Sequence, residues 1–366
     1  MNVKIATITC HNVYNHGASL QAYALVEYLR TLGHDVEIIN YRPDLSGNTS
    51  FYTDVPKRYE RFGLRWAYIL AKVPSRIRES LRRRKFDEFS HQYLPVTETL
   101  YHCNDELISN PPIADVYVAG SDQIWNTELR QDAAFYLNFG GNSVRKVSYA
   151  ASFATASLKQ GTEAFVKMQL SNFDRIGVRE ESGLRILESL GFEGALTVDP
   201  VFLLSAEHWS TVADTEGSDE DYILVYDFER VGPIEKVVKR MSRLCGCPVY
   251  SIGFEGKSYT SRDYVRCGPQ TFVSLIKNAR CVLSNSFHAT AFAMIFNKRF
   301  FVVNRTDGLN VRMSDLLSRY GLQDRLIDVS VSDEGLREEI NYDKVQTLLT
   351  DDIARSKQYL GEICSI

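Results

Sequence analysis

The 366-residue sequence has no run of about 18 apolar residues, the length a helix needs to cross a bilayer, so no membrane-spanning segment is expected. Its first residues, Met1 to Ile8, lack a basic stretch followed by a long apolar core. They read as a first strand and not as a secretion signal, which points to a cytoplasmic protein. Seven cysteines (Cys10, Cys103, Cys245, Cys247, Cys267, Cys281 and Cys364) are scattered without a C-x-x-C pair, and Cys245-Gly246-Cys247 is one residue too tight for a zinc knuckle. Free thiols in a reducing compartment and no bound metal are expected. Neither sign of charge prevails: 42 Lys+Arg against 46 Asp+Glu leave a net charge of -4, which argues against a nucleic-acid partner. Internal repeats and low-complexity tracts are also missing.

Ordinary globular composition remains, 44% hydrophobic and 24% charged, in a chain long enough for two domains. Ala279 to Val303 organises it. Cys281-Val282-Leu283 is a short apolar run and Ser284-Asn285-Ser286-Phe287-His288 a polar break. Ala289 to Phe296 suits a helix buried on both sides, and Arg299 to Val303 returns as a strand. This βαβ unit presents a helix N-terminus, a ready anion site, with a histidine on the turn.

Near the start, Val3 to Thr9 reads as a strand and His11 to Ala18 as a polar loop. Leu20, Tyr23, Ala24, Leu25, Tyr28 and Leu29 give a helix closed by Gly33, before a strand over Val36 to Tyr41. The loop has neither the G-x-G-x-x-G nor the G-K-[ST] pattern, so a dinucleotide fingerprint and a P-loop are both excluded there. Tyr59 to Tyr93 is long, helical and basic, with Arg76, Arg78, Arg82, Arg83, Arg84 and Lys85 close together. Such a face is either solvated or set against anionic headgroups, and Glu79, Asp87 and Glu88 dilute the second reading.

Two further strands end in chemistry. Ala114 to Ala119 runs into Gly120-Ser121-Asp122-Gln123-Ile124-Trp125-Asn126, polar groups beside an indole, which suits a sugar's hydroxyls and its C–H face. Ile176-Gly177-Val178 runs into Arg179, where a guanidinium can grip a carboxylate or phosphate unless Glu180 or Glu181 pairs with it. Asp199-Pro200 reads as a boundary turn, and Glu216 to Asp221 as an acidic linker. The expected fold class is α/β, two Rossmann-like domains facing a cleft: residues 1–204 with a helical insertion at about 50–112, then 205–340, then a closing helix in 341–366 that returns towards the first domain.

Asn15 to Leu25, Gly120 to Asn126, Val178 to Ser182, Asp199-Pro200-Val201-Phe202 and Ser286-Phe287-His288 together resemble the polysaccharide pyruvyl transferase family. The resemblance spans roughly Met1 to Tyr320, in the family's order. It implies a fold similar to the GT-B glycosyltransferases and transfer of pyruvate from phosphoenolpyruvate to a sugar as a cyclic ketal, with no cofactor. The acceptor would be a precursor of a bacterial surface polysaccharide, carried or not on a polyprenyl diphosphate at the inner membrane face. His288 is the expected acid or base, with Asp122 as a second catalytic candidate. Donor binding falls to Arg179, Ser286, Phe287, His288 and Arg312. Acceptor binding falls to Asn15, His16, Gly17, Gln21, Ser121, Asp122, Gln123, Trp125 and Asn126, with His11 nearby. Many relatives carry Arg-Leu-His-Gly where this chain has Ser286-Phe287-His288-Ala289, so one arginine is replaced. The competing readings are a nucleotide-sugar glycosyltransferase of the same architecture and a carbohydrate-binding relative that has lost transfer.

Overall fold

The computed structural model describes residues 2–43, 64–141, 143–227, 233–253, 257–303 and 311–365, with side chains from residue 77 onward in the long second helix. The start of the 50–112 insertion and the Arg76 side chain therefore lie outside the described residues.

Two parallel sheets form the frame. The first contains β1 (Lys4–Ile8), β2 (Asp35–Tyr41), β3 (Val96–Tyr101), β4 (Val116–Ala119) and β5 (Arg145–Ser148), in the order β3-β2-β1-β4-β5. Single bridges from Val147 and Ala151 extend it to the short pair β6 (Gly177–Val178) and β7 (Ala195–Leu196). The second contains β8 (Ile223–Tyr226), β9 (Val249–Ile252), β10 (Arg262–Tyr264), β11 (Cys281–Ser284), β12 (Arg299–Val303) and β13 (Leu326–Ile327), in the order β10-β9-β8-β11-β12-β13. Each sheet is wound outward from a central pair, β1/β4 in one and β8/β11 in the other. A doubly wound sheet opens its ligand crevice at such a switch point, beyond the strands' carboxyl ends. These are two Rossmann-like domains in the GT-B arrangement.

The insertion is not purely helical. After the Leu64–Tyr93 helix the chain forms β3, which pairs with β2 as the sheet's outer strand. Its sequence, Val-Thr-Glu-Thr-Leu-Tyr, mixes apolar with polar residues, as befits an edge half open to solvent.

The domains share one hydrophobic core. Leu20 and Tyr23 of the His16–Thr31 helix belong to the same buried cluster as Trp209, Phe272 and Phe292. Tyr23 meets Trp209 edge-on, and Trp209 meets Phe292 with ring centroids 4.8 Å apart. The Tyr342–Cys364 helix clasps both halves: Tyr342 donates to the Lys298 carbonyl at 2.5 Å, and Tyr359 to the Ser148 carbonyl at 3.1 Å.

Candidate active site

The two switch points meet at Gly17 and His288. Ser286 caps the Phe287–Ile295 helix, its hydroxyl accepting from Ala289 N at 3.4 Å, and so places His288 in the first turn. Asn15 caps the His16–Thr31 helix of the other domain, accepting from Ala18 N at 3.2 Å. The His288 ring lies directly over Gly17, where a Cβ would stand 1.9 Å from Nδ1. Two helix N-termini, each the positive end of a peptide dipole, thus converge on one histidine.

A buried charge network lies beneath. Arg179 follows β6, and its guanidinium donates from Nη1 to Asp199 Oδ2 at 2.5 Å and from Nε to Glu180 Oε1 at 3.2 Å. Its carbon sits 4.5 Å from the centre of the Phe287 ring, a cation over an aromatic face contributed by the second domain. Ser121 Oγ donates to the same Asp199 Oδ2 at 3.1 Å, and Ser152 to Glu180 at 2.5 Å. Asp199 Oδ1 accepts from Val201 N at 3.1 Å, capping a short turn. His288 Nε2 lies 3.5 Å from Asp199 Oδ2. Burial alone would raise the Asp199 carboxyl, but positive charge at His288 and the Arg179 guanidinium outweigh it and hold the group below the usual carboxylate range. Burial likewise works against a charged Arg179, yet Glu180, Asp199 and Asp122 keep it firmly protonated. His288 Nε2 and Arg179 Nη2 are buried and have no hydrogen-bond partner among the described residues.

Over this network opens a pocket between the domains. Arg179, Glu180, Asp199 and Phe202 line it from one side, and Phe287, Arg312, Asp315 and Arg319 from the other. Arg312 reaches across it. With the Gln123 amide oriented so that its oxygen faces the guanidinium, Arg312 Nη2 donates to it at 3.0 Å. Asp315 accepts from Ser182 N at 3.1 Å, a second bridge between domains.

The expected donor residues Arg179, Phe287, His288 and Arg312 are therefore brought together, with Ser286 behind them as a cap. Ser121 joins them through Asp199. Asp122, at the end of β4, adopts φ 78°, the left-handed region, as do nearby Ala150 at 54° and Ala154 at 61°. Backbone strain of this kind, about 1–3 kcal/mol per residue, gathers at functional edges.

Three expected acceptor residues stand elsewhere. The Trp125 indole is buried, stacked on Tyr136 at 5.3 Å, and donates to the Phe135 carbonyl at 3.0 Å, so its face is covered and offers no platform for a sugar. Gln21 is fully buried, donating to Thr9 Oγ1 at 2.9 Å and the Ala18 carbonyl at 3.0 Å. His16 is a plug in the second domain: it stacks on Phe272 at 4.7 Å and bonds Tyr226 Oη and the Cys267 carbonyl. Burial pushes its basicity down to about 3, and that of His11 to about 4. Asn126 is buried beside Gln123, 3.0 Å away. On the basic helix Arg82 and Arg83 share Glu79, and Arg84 and Lys85 share Glu88, so its positive charge is only partly offset. Among the described residues no group of His, Cys, Asp and Glu is placed to hold a metal ion, and no helix is long and apolar enough to cross a membrane.

Asp199 is the residue that a sequence reading misses in this site. Its signal was an acid directly after the apolar Leu196-Thr197-Val198, the same strand-end position that singled out Arg179.

Several solved structures resemble the whole chain. A putative UDP-N-acetylglucosamine 2-epimerase from Listeria monocytogenes superposes with a TM-score of 0.52 at 10% identity, covering 98% of this chain and 91% of its own. Arabidopsis thaliana UGT89C1 gives 0.51 at 9% identity, covering 100% of both chains. A UDP-GlcNAc 2-epimerase from Neisseria meningitidis bound to UDP-GlcNAc gives 0.50 at 10%, covering 99% of both. At such identities the likeness establishes the fold alone. No curated protein matches in sequence. The model of the family described as polysaccharide pyruvyl transferase matches residues 15–307, from the Asn15 cap past the His288 turn. The chain belongs to the polysaccharide pyruvyl transferase family.

Proposed function

We propose that the protein transfers pyruvate from phosphoenolpyruvate to two hydroxyls of one sugar in a surface-polysaccharide precursor, closing a cyclic ketal. Beyond family membership, one observation carries this reading. Arg179, whose buried Nη2 has no hydrogen-bond partner among the described residues, lines one interdomain pocket with Phe287 and Arg312, and Phe287 opens the helix whose next residue is His288. Buried polar atoms are rarely left so unless a ligand engages them. Phosphoenolpyruvate offers a carboxylate and a phosphate on three carbons, an anion of matching chemistry.

In the proposed reaction the methylene carbon gains a proton from His288 and C2 becomes cationic. A sugar hydroxyl attacks C2 and gives its proton back to His288. The C2–O bond to phosphate then breaks, and a second hydroxyl of the same sugar attacks C2 to close the ring, its proton leaving with inorganic phosphate. Arg179, Arg312 and the helix N-terminus hold the donor, while strained Asp122 and Gln123 form the acceptor wall. No cofactor takes part. A polyprenyl-diphosphate carrier would bring the acceptor to the cytoplasmic face of the membrane.

The test is incubation with phosphoenolpyruvate and a panel of galactose-containing oligosaccharides, following phosphate release and the mass increase of a pyruvate ketal. Ketal formation that disappears in His288→Ala supports the reading. Transfer from nucleotide sugars instead, with phosphoenolpyruvate inert across the panel, would overturn it.

A further inference from the structure

We propose that Asp199 is a positioning residue that sets the proton donor and the anion-binding guanidinium in one fixed relation across the domain interface; this rests on the donor-site reading above. One oxygen does the work. Asp199 Oδ2 accepts from Arg179 Nη1 at 2.5 Å and from Ser121 Oγ at 3.1 Å, and stands 3.5 Å from His288 Nε2. The other oxygen is pinned by Val201 N at 3.1 Å. Arg179, Ser121 and Val201 belong to the first domain, so the carboxylate is immobilised before the second domain contributes anything. Among the described residues, His288 is the one partner that arrives from the other domain. Its ring is confined on its far side by Gly17, so it is clamped between a carboxylate and a bare backbone. The Asp199 side chain is fully buried. A charge there is neither screened nor free to swing away, and it selects the His288 orientation in which Nε2 faces inward.

A merely structural Asp199, serving as cap to the Pro200–Leu203 turn, makes different predictions. Asn caps helices as well as Asp does and keeps an oxygen for Val201 N, so Asp199→Asn should fold while losing the charge. We expect its kcat to fall by about 100-fold or more, within the range a positioned acid supplies, while KM for phosphoenolpyruvate moves only several-fold. Asp199→Asn combined with His288→Ala should be no slower than His288→Ala alone, because both act through one group. A kcat within threefold of the parent, or fully additive losses, would overturn the proposal.

A second readout needs no turnover. The imidazole nitrogen resonances of His288, assigned by their disappearance in His288→Ala, should shift in Asp199→Asn and recover in Asp199→Glu. Unchanged resonances would sink the positioning role even if transfer is observed. Shifted resonances in a protein that transfers nothing would sustain it while the functional reading falls.

Discussion

Gly17 and His288 belong to different domains, yet the imidazole lies where a Gly17 side chain would begin, 1.9 Å from Nδ1 to an ideal Cβ. Gly17 is helical and its neighbours are buried, so neither partner can give way cheaply. Gly17→Ala should therefore cost about 1–3 kcal/mol by overpacking, and ketal formation with it. In a His288→Ala background the same substitution should cost little, since the colliding ring is gone. Thermal unfolding of the two single variants and the double variant checks this. Equal costs in both backgrounds would show that the ring is not what forbids a side chain at 17.

Arg179 stands between two carboxylates, with about 1% of its side chain exposed. Removing it leaves Glu180 and Asp199 buried with insufficient positive charge, a loss of about 3–5 kcal/mol. Arg179→Met should unfold at markedly lower urea concentration than the parent. Arg179→Met/Glu180→Gln should recover part of that stability without recovering activity. A stable Arg179→Met would mean that the network relaxes or takes up water.

The two Rossmann-like halves and the His288 turn were legible because they rest on local signals. Apolar runs, a polar break and a capping serine lie within a dozen residues of one another. Arg179 was legible as a strand-end residue, but its pairing with Asp199 was not, because the pair spans 20 positions and is closed by the sheet. Trp125 illustrates the same limit. Beside Asp122 and Gln123 it reads as a binding aromatic, whereas the rings that cover it, Tyr136 at 11 positions on and Phe153 at 28, show no local pattern that turns them back onto it. The core shared by Tyr23, Trp209 and Phe292 is less legible still, since no local pattern says that two domains will bury each other's aromatic rings.

The covered indole leads to its own test. Trp125→Ala should cost about 3–5 kcal/mol, as for a large aromatic removed from a core. Trp125→Phe, which keeps most of the packing and loses only the bond to the Phe135 carbonyl, should leave the acceptor KM unchanged. A raised acceptor KM in a fully stable Trp125→Phe would return the indole to the binding surface.

Acid should loosen the domain interface before it neutralises the charge network. An unfolded histidine takes up its proton near 6.5, whereas buried His16 stays neutral down to about 3. Its contribution is therefore complete above pH 6.5 and declines as pH falls towards 3, at a limiting slope of about 1.4 kcal/mol per unit. His11 adds a similar decline down to about 4. Asp199, held below its ordinary 3.8, contributes fully above that value and is lost only under stronger acid. Urea midpoints at pH 7.5, 6 and 5 should fall progressively, and His16→Gln should flatten the slope by about one proton. An unaltered slope would place the titrating group elsewhere.

Arg312 is placed to hold an anion in the interdomain pocket. It stands on the second domain's Val311–Arg319 helix, lines the pocket with Arg179, and is oriented by the Gln123 amide at 3.0 Å. Arg319, the other guanidinium on that side, is already held by Asp352. A charged hydrogen bond is worth about 1.5–3 kcal/mol, so Arg312→Ala should raise KM for phosphoenolpyruvate about 10- to 100-fold while kcat changes little. Gln123→Ala, which removes only the orienting amide, should do less. Ser286→Arg sacrifices the cap on Ala289 N, about 1 kcal/mol, and returns a guanidinium to the helix N-terminus. In the Arg312→Ala background that substitution should recover donor affinity if the two arginines serve the same anion. A KM that stays high in the double variant, with the fold intact, would show that position 312 binds the donor from a side that position 286 cannot reach.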